Sequence, residues 1–296
     1  MNPFFSIIVP TYNRENIIIP TIESILSQTY PHYELLIIDD GSTDNTEELV
    51  KKYLSDRVFY YKKEHEERSQ ARNYGTALAK GAYINWLDSD DIMLPGHLEK
   101  VRKVLDKYNS PPILGVAYEV DRPGNGIVYR LQFPATILNP YMLRWNFMRT
   151  STGIVRRDIA LQFPFNTAAI PQEDHELWLR IGASFDIVSN NEVTIRLVEH
   201  PQSGSVMITQ DGNEYAATLE RLIKEVSASR SVRTFFKNRI SQFKMYRYAC
   251  GAYFLATHGL KRVPTKLLLR SISSHPLIFF RKEFYAAIKH LLFTYR

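Results

Sequence analysis

Three carboxylates occur within four residues at the end of an apolar run, in the stretch YINWLDSDDIML that begins at Tyr83. The apolar residues that open this stretch are typical of a short buried strand, and Asp88, Asp90 and Asp91 follow where that strand would reach the surface. Neighbouring carboxylates repel one another unless a cation lies among them, and their oxygens are the ligands that Mg²⁺ and Mn²⁺ prefer. The stretch therefore indicates either a divalent metal site or only a turn and a helix N-cap before Pro95.

The surrounding sequence alternates between strand and helix patterns. Apolar, partly β-branched runs predict four strands, and apolar residues at helical spacing predict three helices between them. The predicted strands are residues 5–9, 33–38, 58–61 and 83–87, and the predicted helices are 16–28, 43–53 with Asp44 as N-cap, and 69–80. This alternation predicts an α/β fold with a doubly wound, mostly parallel sheet of the Rossmann-like kind.

Polar side chains follow the predicted strands at three places. Thr11 and Tyr12 follow the first strand, and Asp39 and Asp40 follow the second. The carboxylate cluster that begins at Asp88 follows a later one. Ligands of a parallel sheet bind at the carboxyl ends of its strands, so we expect these side chains to line one crevice. A turn or a cap explains each position alone but not all three together, which favours the metal-site interpretation.

The residues expected at this crevice suit a nucleotide diphosphate. Asp40 can accept from a uracil imide or from ribose hydroxyls, and Tyr12 can lie against the base. Arg68 and Arg72 can pair with phosphate oxygens. A metal bound to the carboxylate cluster would bridge the diphosphate and neutralise its charge as the diphosphate departs. The sequence has no GxxxxGK[ST] loop and no GxGxxG after the first strand, which argues against an ATPase and a dinucleotide-dependent dehydrogenase.

Four short motifs occur in order in the N-terminal third of the chain. They are PTYNR at residues 10–14, IDDGSTD at 38–44, SQARNYG at 69–75 and LDSDD at 87–91. Together they resemble glycosyltransferase family 2, closely over roughly residues 4–100 and more weakly to about residue 205. The resemblance implies the A-type nucleotide-sugar-binding fold and transfer of a sugar, with inversion of the anomeric centre, from a nucleotide diphosphate donor.

The resemblance also implies roles for individual positions. Asp90, the second Asp of the Asp-x-Asp motif, would hold Mn²⁺ or Mg²⁺, and Asp88, the first, would lie near the ribose and share the metal. Asp91 either extends this motif or only caps the next helix. The residues expected to bind the donor are Thr11, Tyr12, Asp40, Arg68, Arg72 and Asp88.

A second stretch that could do chemistry is PQEDHELWLR at residues 171–180, with a Glu-Asp pair at the start of an apolar helix pattern. A helix cap would by itself explain Asp174. In the family that the sequence resembles, however, the Asp of such a pair is the general base. Transfer to a hydroxyl requires a group that takes the hydroxyl proton. We therefore expect Asp174 to be that base and Glu173 to have an orienting or structural role.

The rest of the first two thirds of the chain carries weaker signals. Strand patterns at residues 113–120 and 126–133 flank an RPGN turn and predict a hairpin on the acceptor side. Residues 150–153 (TSTG) form either a loop that a substrate can approach closely or an ordinary tight turn. Residues 194–205 resemble the Arg-x-His-x-x-Ser element of the family, with a departure in spacing. His200 either reaches the metal or diphosphate or is an ordinary loop histidine.

Length and composition are those of an ordinary soluble protein. The chain has 296 residues, 45% of them hydrophobic and 23% charged, enough for one large or two modest domains. One cysteine, Cys250, excludes an internal disulfide and a thiolate zinc cluster, so we expect a reducing, cytoplasmic compartment. Residues 4–9 predict a strand and not a signal peptide, and no uncharged apolar run reaches the ~18 residues that a membrane span needs.

Charge is distributed unevenly along the chain. Residues 230–296 contain 14 Lys and Arg against one acid, a net charge of +13, whereas residues 1–229 sum to −7. Helical patterns follow residue 213, beginning with residues 215–226. We therefore expect a catalytic domain at residues 1–213 and a helical, basic and aromatic C-terminal region at 214–296.

The basic C-terminal region suits a membrane surface. Its last segment is amphipathic at 100° per residue. We expect residues 230–296 to contact the anionic inner face of the cell membrane peripherally; the alternative is packing on the domain or in a homodimer. Nucleic acid is disfavoured because the aromatic residues follow helical spacing, unlike an exposed stacking platform. The apolar side consists of Phe280, Phe284, Ile288, Leu291 and Tyr295, and the basic side of Lys282, Lys289 and Arg296.

These signals together predict an inverting, metal-dependent glycosyltransferase that uses a nucleotide-sugar, most simply a UDP-sugar, and a glycan or lipid-linked acceptor. Two alternatives stay open. A nucleotidyltransferase on a similar sheet would need a glycine-rich basic loop after the first strand, and residues 10–13 lack glycine. A non-catalytic nucleotide-sugar-binding or partner-binding subunit would not need the Asp-x-Asp motif together with Asp174.

Overall fold

The computed structural model describes residues 4–144, 146–200, 203, 211–237, 239–257, 260, 262–275 and 284–285. By packing, the chain divides into two units. The N-terminal unit comprises Met1–Asn139, Phe147–Thr167 and Phe185–Glu199, and the C-terminal unit comprises Pro140–Asn146, Ala168–Ser184 and His200–Arg296. Because packing does not report function, the division into a catalytic domain at residues 1–213 and a helical region at 214–296 stays a prediction.

Within the described residues, one mixed sheet of nine strands forms the N-terminal unit. The strands are β1 (Phe5–Thr11), β2 (Tyr33–Asp39), β3 (Val58–Lys62), β4 (Tyr83–Trp86), β5 (Ile92–Met93), β6 (Ile113–Arg122), β7 (Gly126–Arg130), β8 (Gly153–Arg156) and β9 (Ile187–Val198). They lie in the order β3-β2-β1-β4-β8-β6-β9-β5, with β7 beside β6. Six of the nine share one direction, and β5, β7 and β8 run against it. The predicted α/β fold with a mostly parallel sheet is confirmed.

The described helices of the N-terminal unit cover the sheet. They are α1 (Ile18–Leu26), α2 (Thr46–Lys51), α3 (Arg68–Leu78), α4 (His97–Lys107) and α5 (Arg157–Gln162). Asn45 takes the N-cap position of α2, so the prediction of Asp44 as N-cap was one residue early. Asp44 Oδ1 nevertheless accepts the Thr46 N–H at 3.0 Å, which satisfies one N–H group of the first turn.

The strands β1 and β2 form the centre of the core. Every residue of both is buried, as expected for β-branched runs that are covered on both faces. Gly75 lets α3 approach them closely, because an added Cβ would lie 2.6 Å from Ile8 Cγ2 and 3.0 Å from Ile38 Cγ1. The glycine of the SQARNYG motif therefore sets the distance between α3 and the sheet.

The predicted hairpin is present as β6 and β7. The two strands pair antiparallel, and Gly124 and Gly126 adopt φ of +89° and +69°, values that favour glycine. The second strand ends at Arg130, three residues earlier than the pattern predicted. All five residues of β7 are exposed, so the sequence pattern predicted a strand that has no buried face.

Five α-helices are described in the C-terminal unit. They are α6 (Glu173–Gly182), α7 (Gly212–Ala228), α8 (Arg230–Phe235), α9 (Ile240–Thr257) and α10 (Arg262–Ser274). α7 contains the predicted segment 215–226, and Asp211 Oδ1 caps it by accepting the Asn213 N–H at 2.8 Å. None of the helices in the described ranges combines the length and apolar character of a membrane span.

The amphipathic face predicted for the last segment falls almost wholly outside the described residues. Phe284 is described and buried, and its neighbour Tyr285 is 59% exposed. The other residues of that prediction, which lie outside the described ranges, are Phe280, Lys282, Ile288, Lys289, Leu291, Tyr295 and Arg296.

His97 is a fully buried histidine at the start of α4. Its side chain is 0% exposed, and neither ring nitrogen has a hydrogen-bond partner among the described residues. Burial, with a smaller contribution from the Lys100 ammonium, lowers the pKa of His97 to about 3. The folded protein therefore holds a neutral imidazole, whereas the unfolded chain has an ordinary histidine that takes up a proton near pH 6.5.

We expect His97→Leu to flatten the pH dependence of stability. Because the folded-state pKa lies below the unfolded-state pKa, the wild-type protein loses stability as pH falls from about 6.5 toward 3, by about 2 kcal/mol at pH 5. Urea unfolding at pH 7.5 and pH 5.0 should show that the variant loses about 2 kcal/mol less than wild type. His32→Gln, at an exposed position, is the control and should follow wild type. Equal losses for His97→Leu and wild type would contradict this account.

Candidate functional site

Three neighbouring strands end at the same edge of the sheet. β1 and β4 are parallel neighbours, as are β1 and β2, and Thr11 at the end of β1 is in register with Asp39 at the end of β2. The Asp40 N–H then donates to the Thr11 carbonyl at 2.8 Å. The structure thus brings Thr11, Tyr12, Asp40 and the turn that begins at Asp88 to one edge, as the alternation of elements predicts.

The loops after β1 and β2 are bonded to each other through the residues of the first two motifs. Asn13, at φ +51°, donates its N–H to Ser42 Oγ at 2.9 Å, and its Oδ1 accepts the Thr43 N–H at 2.8 Å. The Arg14 N–H donates to Thr46 Oγ1 at 2.8 Å. Asn tolerates the left-handed region better than most residues. These motif residues therefore fix the loops, and the neighbouring Tyr12 is presented at the surface with 41% exposure.

Asp40 is buried and surrounded by hydrogen-bond donors. Its carboxylate accepts from Lys63 Nζ at 2.7 Å, from the Glu66 N–H at 3.1 Å and from the Glu67 N–H at 2.8 Å. Burial by itself would raise the pKa of Asp40, but the Lys63 ammonium and the two backbone N–H groups outweigh it and lower that pKa. Asp40 is therefore an ionised acceptor at neutral pH, which is the state a uracil imide needs.

His65 is the fourth donor near Asp40. Its Nδ1 lies 2.8 Å from Asp40 Oδ2, and its ring stacks on Tyr12 with centroids 4.2 Å apart. The Glu67 backbone adopts φ +101°, a strained value for a residue other than glycine, while giving its N–H to Asp40. Strain of this kind persists only where surrounding contacts hold it, and here the buried carboxylate holds it.

The two arginines of the site lie on α3. Arg68 is the first residue of this helix and is partly buried. Arg72 is buried, with Nη2 2.6 Å from Asp88 Oδ1 and its guanidinium over the Phe165 ring at 5.1 Å. Arg72 thus contacts the first carboxylate of the Asp-x-Asp motif, and the predicted phosphate contacts of both arginines stay predictions.

The acidic turn places its three carboxylates in different surroundings. Asp88 and Asp90 are partly exposed, whereas Asp91 is buried. Ser151 Oγ accepts the Asp88 N–H at 3.0 Å and donates its proton to the Asp91 carboxylate. Burial, followed by the charges of Asp90 and Asp88, raises the pKa of Asp91 well above its usual range.

The structure decides two alternatives that the sequence left open in this region. Asp91 does not cap the next helix, because α4 begins at His97 and Gly96 takes the N-cap position. The TSTG segment is a tight turn and not an open loop: Thr150–Thr152 is a buried 3₁₀ turn, and its Ser151 braces the acidic turn.

The donor set of the acidic turn fits a magnesium or manganese ion that is completed by a substrate. Among the described residues, no three His, Cys, Asp or Glu side chains come together as metal ligands. Mg²⁺ sites are nevertheless commonly built from one or two carboxylates plus substrate phosphates, and Asp88 and Asp90 provide two. His200, the other predicted ligand, lies in the C-terminal unit, where its N–H donates to Ser203 Oγ at 2.9 Å. Its role stays a prediction.

Asp174 is the second residue of α6, in the C-terminal unit. The N-cap position belongs to Gln172, so Asp174 is not the cap, although its Oδ1 accepts the His175 N–H at 2.6 Å. The Asn146 side-chain amide donates to Asp174 Oδ2 at 3.1 Å. Glu173, next to it, is buried, which agrees with a structural role. Asp174 is therefore partly exposed and held by two donors at a helix N-terminus, where a negative charge is stabilised.

A family model described as Glycosyl transferase family 2 matches residues 6–172. This chain belongs to glycosyltransferase family 2. The matched segment contains the four motifs of the N-terminal third and ends two residues before Asp174. The resemblance read from the motifs is confirmed.

Relatives within the family extend the comparison. The chain is 29% identical over 244 residues to an uncharacterised glycosyltransferase of Rickettsia felis, covering 78% of this chain and 40% of that protein. It is 35% identical over 181 residues to WfgD of Escherichia coli, named as a UDP-Glc:alpha-D-GlcNAc-diphosphoundecaprenol beta-1,3-glucosyltransferase, covering 60% of this chain and 68% of WfgD. The chain thus spans 40% of the length of the Rickettsia relative.

A solved structure shares the fold. S. aureus TarS 1-349, crystallised in complex with UDP-GlcNAc, superposes with a TM-score of 0.64 at 19% identity, over 98% of this chain and 89% of that one. The likeness covers the sheet and its helices and confirms the A-type glycosyltransferase fold that the motifs imply.

Four side chains that contact the predicted site residues were not themselves predicted. Lys63 and His65 follow the carboxyl end of β3, so the strand-end rule that found Asp40 would also have found them. Ser151 lies 63 residues along the chain from Asp88, and Asn146 lies 28 residues from Asp174. No local pattern in the sequence marks contacts at such separations.

We expect Ser151→Ala to destabilise the family 2 fold by about 2 to 3 kcal/mol, because the Asp88 N–H loses its acceptor and buried Asp91 loses a donor. Urea unfolding at neutral pH measures the change. Ser27→Ala is the matched control, since the exposed Ser27 hydroxyl bonds only the Ser24 carbonyl of its own helix, and it should stay within about 0.5 kcal/mol of wild type. A change as small as that of the control would show that Ser151 does not brace the turn.

Proposed function

We propose that this chain is an inverting, metal-dependent glycosyltransferase that transfers a sugar from a UDP-sugar to a hydroxyl of a glycan or lipid-linked acceptor. The observation that carries the proposal is the meeting of the carboxyl ends of β2, β1 and β4 at one edge of the sheet. That edge holds an acceptor for a base, Asp40, and carboxylates for a metal-bound diphosphate, Asp88 and Asp90. Membership of family 2 supports glycosyl transfer as the reaction.

The surroundings of Asp40 favour uracil as the donor's base. The ionised carboxylate can only accept hydrogen bonds, and the uracil N3–H is a donor. Tyr12, with its exposed ring, would lie against the base, and Thr11 would support both through its bond to the Asp40 N–H. WfgD is named for UDP-Glc and TarS was crystallised with UDP-GlcNAc, which also supports a UDP-sugar.

The diphosphate would lie at the acidic turn. Mn²⁺ or Mg²⁺ bound there supplies positive charge that stabilises the departing diphosphate. Asp90 and Asp88 would hold the ion, and Arg72 keeps Asp88 in place through its 2.6 Å contact. Arg68 would pair with phosphate oxygens. His200 remains a further candidate ligand of the metal, because residues 194–205 resemble the Arg-x-His-x-x-Ser element of the family.

Asp174 would act as the general base. It takes the proton of the acceptor hydroxyl while the hydroxyl oxygen bonds to the anomeric carbon and the bond to the diphosphate breaks on the opposite face. The His175 N–H and the Asn146 amide donate to the two carboxylate oxygens. These two contacts would hold the carboxylate in a fixed orientation toward the acceptor hydroxyl.

The acceptor and the location are inferred from charge and from the relatives. WfgD is named for an acceptor on a diphosphoundecaprenol lipid. On α10, Arg262 and Lys266 are exposed together with Leu269, which is 62% exposed. A basic face with an exposed apolar residue suits an anionic bilayer surface. We infer peripheral contact of residues 230–296 with the cytoplasmic face of the membrane, with a homodimer contact as the alternative.

Titration calorimetry with UDP, GDP and CDP, each with Mn²⁺ and with EDTA, tests the donor and metal assignments. We expect UDP to bind in a metal-dependent way and to bind at least about tenfold more weakly to Asp90→Ala, which lacks a metal ligand. Asp56→Ala, at an exposed turn, is the control and should bind UDP as wild type does. Binding of GDP instead of UDP would overturn the base assignment, and binding of no nucleotide would overturn the proposed function.

Asp174→Asn tests the base. We expect the variant to fold and to bind UDP normally but to lose transfer by about 10²–10⁴-fold, because an amide cannot take the hydroxyl proton. Release of UDP from UDP-Glc and UDP-GlcNAc, with a GlcNAc-diphosphate lipid as acceptor, measures the rate. Asp186→Asn, at an exposed position, is the matched control. Full activity of Asp174→Asn would rule out Asp174 as the base.

A further inference from the structure

His65 contacts both groups that are assigned to the donor's base. Its Nδ1 lies 2.8 Å from Asp40 Oδ2 and 3.0 Å from the Asp40 carbonyl oxygen. Its ring lies against that of Tyr12, with centroids 4.2 Å apart and an angle of 23° between the planes. The ionised carboxylate and the carbonyl can only accept, so Nδ1 carries the proton in this contact. His65 thus presents a planar ring that stacks on Tyr12 and donates an N–H to Asp40.

A uracil ring in the proposed donor site would make the same two contacts. Its imide N–H would donate to Asp40, and its face would lie on Tyr12. Rings with centroids 4.2 Å apart are already in stacking contact, so a third ring does not fit between Tyr12 and His65. We propose that His65 occupies the base subsite and that the base of the donor must displace it. This inference rests on the proposed function, which assigns the base to Asp40 and Tyr12.

The side chain of His65 can leave while its backbone stays in place. The Glu66 and Glu67 N–H groups donate to Asp40 at 3.1 and 2.8 Å, which anchors the backbone directly after His65. Gly41 lies against the same segment: a Cβ there would be a tight 3.1 Å from His65 N, and φ of +87° at Gly41 favours glycine. The His65 side chain itself is 47% exposed and can rotate toward solvent. Displacement therefore requires movement of one imidazole and not of the loop.

An internal competitor of this kind has a defined effect on affinity. The apparent dissociation constant of a ligand rises in inverse proportion to the fraction of molecules whose site is open. His65 would compete with the base alone, because its contacts within the described part of the chain are with Tyr12 and Asp40 and not with the acidic turn. His65 should therefore raise the apparent dissociation constant of ligands that carry a base. It should not change the dissociation constant of ligands that consist only of the diphosphate.

His65→Ala separates these two classes of ligand. We expect calorimetry with Mn²⁺ to show UDP binding about three- to tenfold tighter than to wild type, and inorganic pyrophosphate binding unchanged. His65→Phe keeps a ring for Tyr12 but cannot donate to Asp40, so its UDP affinity should fall between those of wild type and His65→Ala. His32→Ala, which removes an exposed histidine elsewhere, is the control and should leave both affinities unchanged.

The other outcomes overturn the inference in distinguishable ways. Weaker UDP binding by His65→Ala would make His65 a platform for the base, and unchanged binding would show that His65 does not compete with the base. In both cases UDP binding by wild type leaves the proposed function standing. Altered pyrophosphate binding would show that the substitution acts through the loop. Failure of wild type and variant alike to bind UDP would contradict the proposed function and the inference with it.

Discussion

A buried carboxylate must be surrounded by donors, and this requirement organises the edge of the sheet where β1 and β2 end. Asp40 is only 3% exposed, and loss of water around an ion costs several kcal/mol unless donors replace it. The described groups that donate to the Asp40 carboxylate all come from residues 63–67. This segment lies around the Asp40 carboxylate. Glu67 adopts a strained φ while its N–H donates to Asp40, and α3 begins at the next residue. The position of one carboxylate thus decides where the helix that carries Arg68 and Arg72 begins.

The three neighbouring carboxylates of the acidic turn have three different surroundings. Asp88 pairs with the Arg72 guanidinium, and Asp91 is turned into the protein against Ser151 with a raised pKa. Asp90 stays partly exposed between them. Adjacent carboxylates in separate environments can take separate roles. The crowding that first suggested a cation is relieved in part by the protein itself, and Asp88 and Asp90 are the two carboxylates that the proposed function assigns to an ion.

The sequence predicted those parts of the structure that depend on local pattern and on strand order. The α/β class, the strands β1 to β4 and the edge occupied by Asp40 and Asp88 follow from apolar periodicity and the strand-end rule. His65 follows the end of β3, a fourth strand end at which the same rule predicts a site residue. Ser151 could not be found, because β8 reaches the centre of the sheet from far along the chain. The cap interpretation of Asp91 failed because a short strand, β5, intervenes before α4.

The proposals for Asp40 and His65 together predict how the site would choose its base. Under the proposal for His65, uracil exchanges with the imidazole: one N–H leaves Asp40 and another arrives, and one ring leaves Tyr12 as another takes its place. Because a ligand shifts an equilibrium only by its differential interaction with the two states, the base then adds little affinity, and the diphosphate contributes most. Cytosine offers an acceptor where uracil offers its N3–H, so on its entry Asp40 would lose the His65 N–H without a replacement and would face a second acceptor, at a cost of about 1–3 kcal/mol. Under the proposal, His65 would lower the affinity for every base and would thereby increase the difference in affinity between uracil and cytosine.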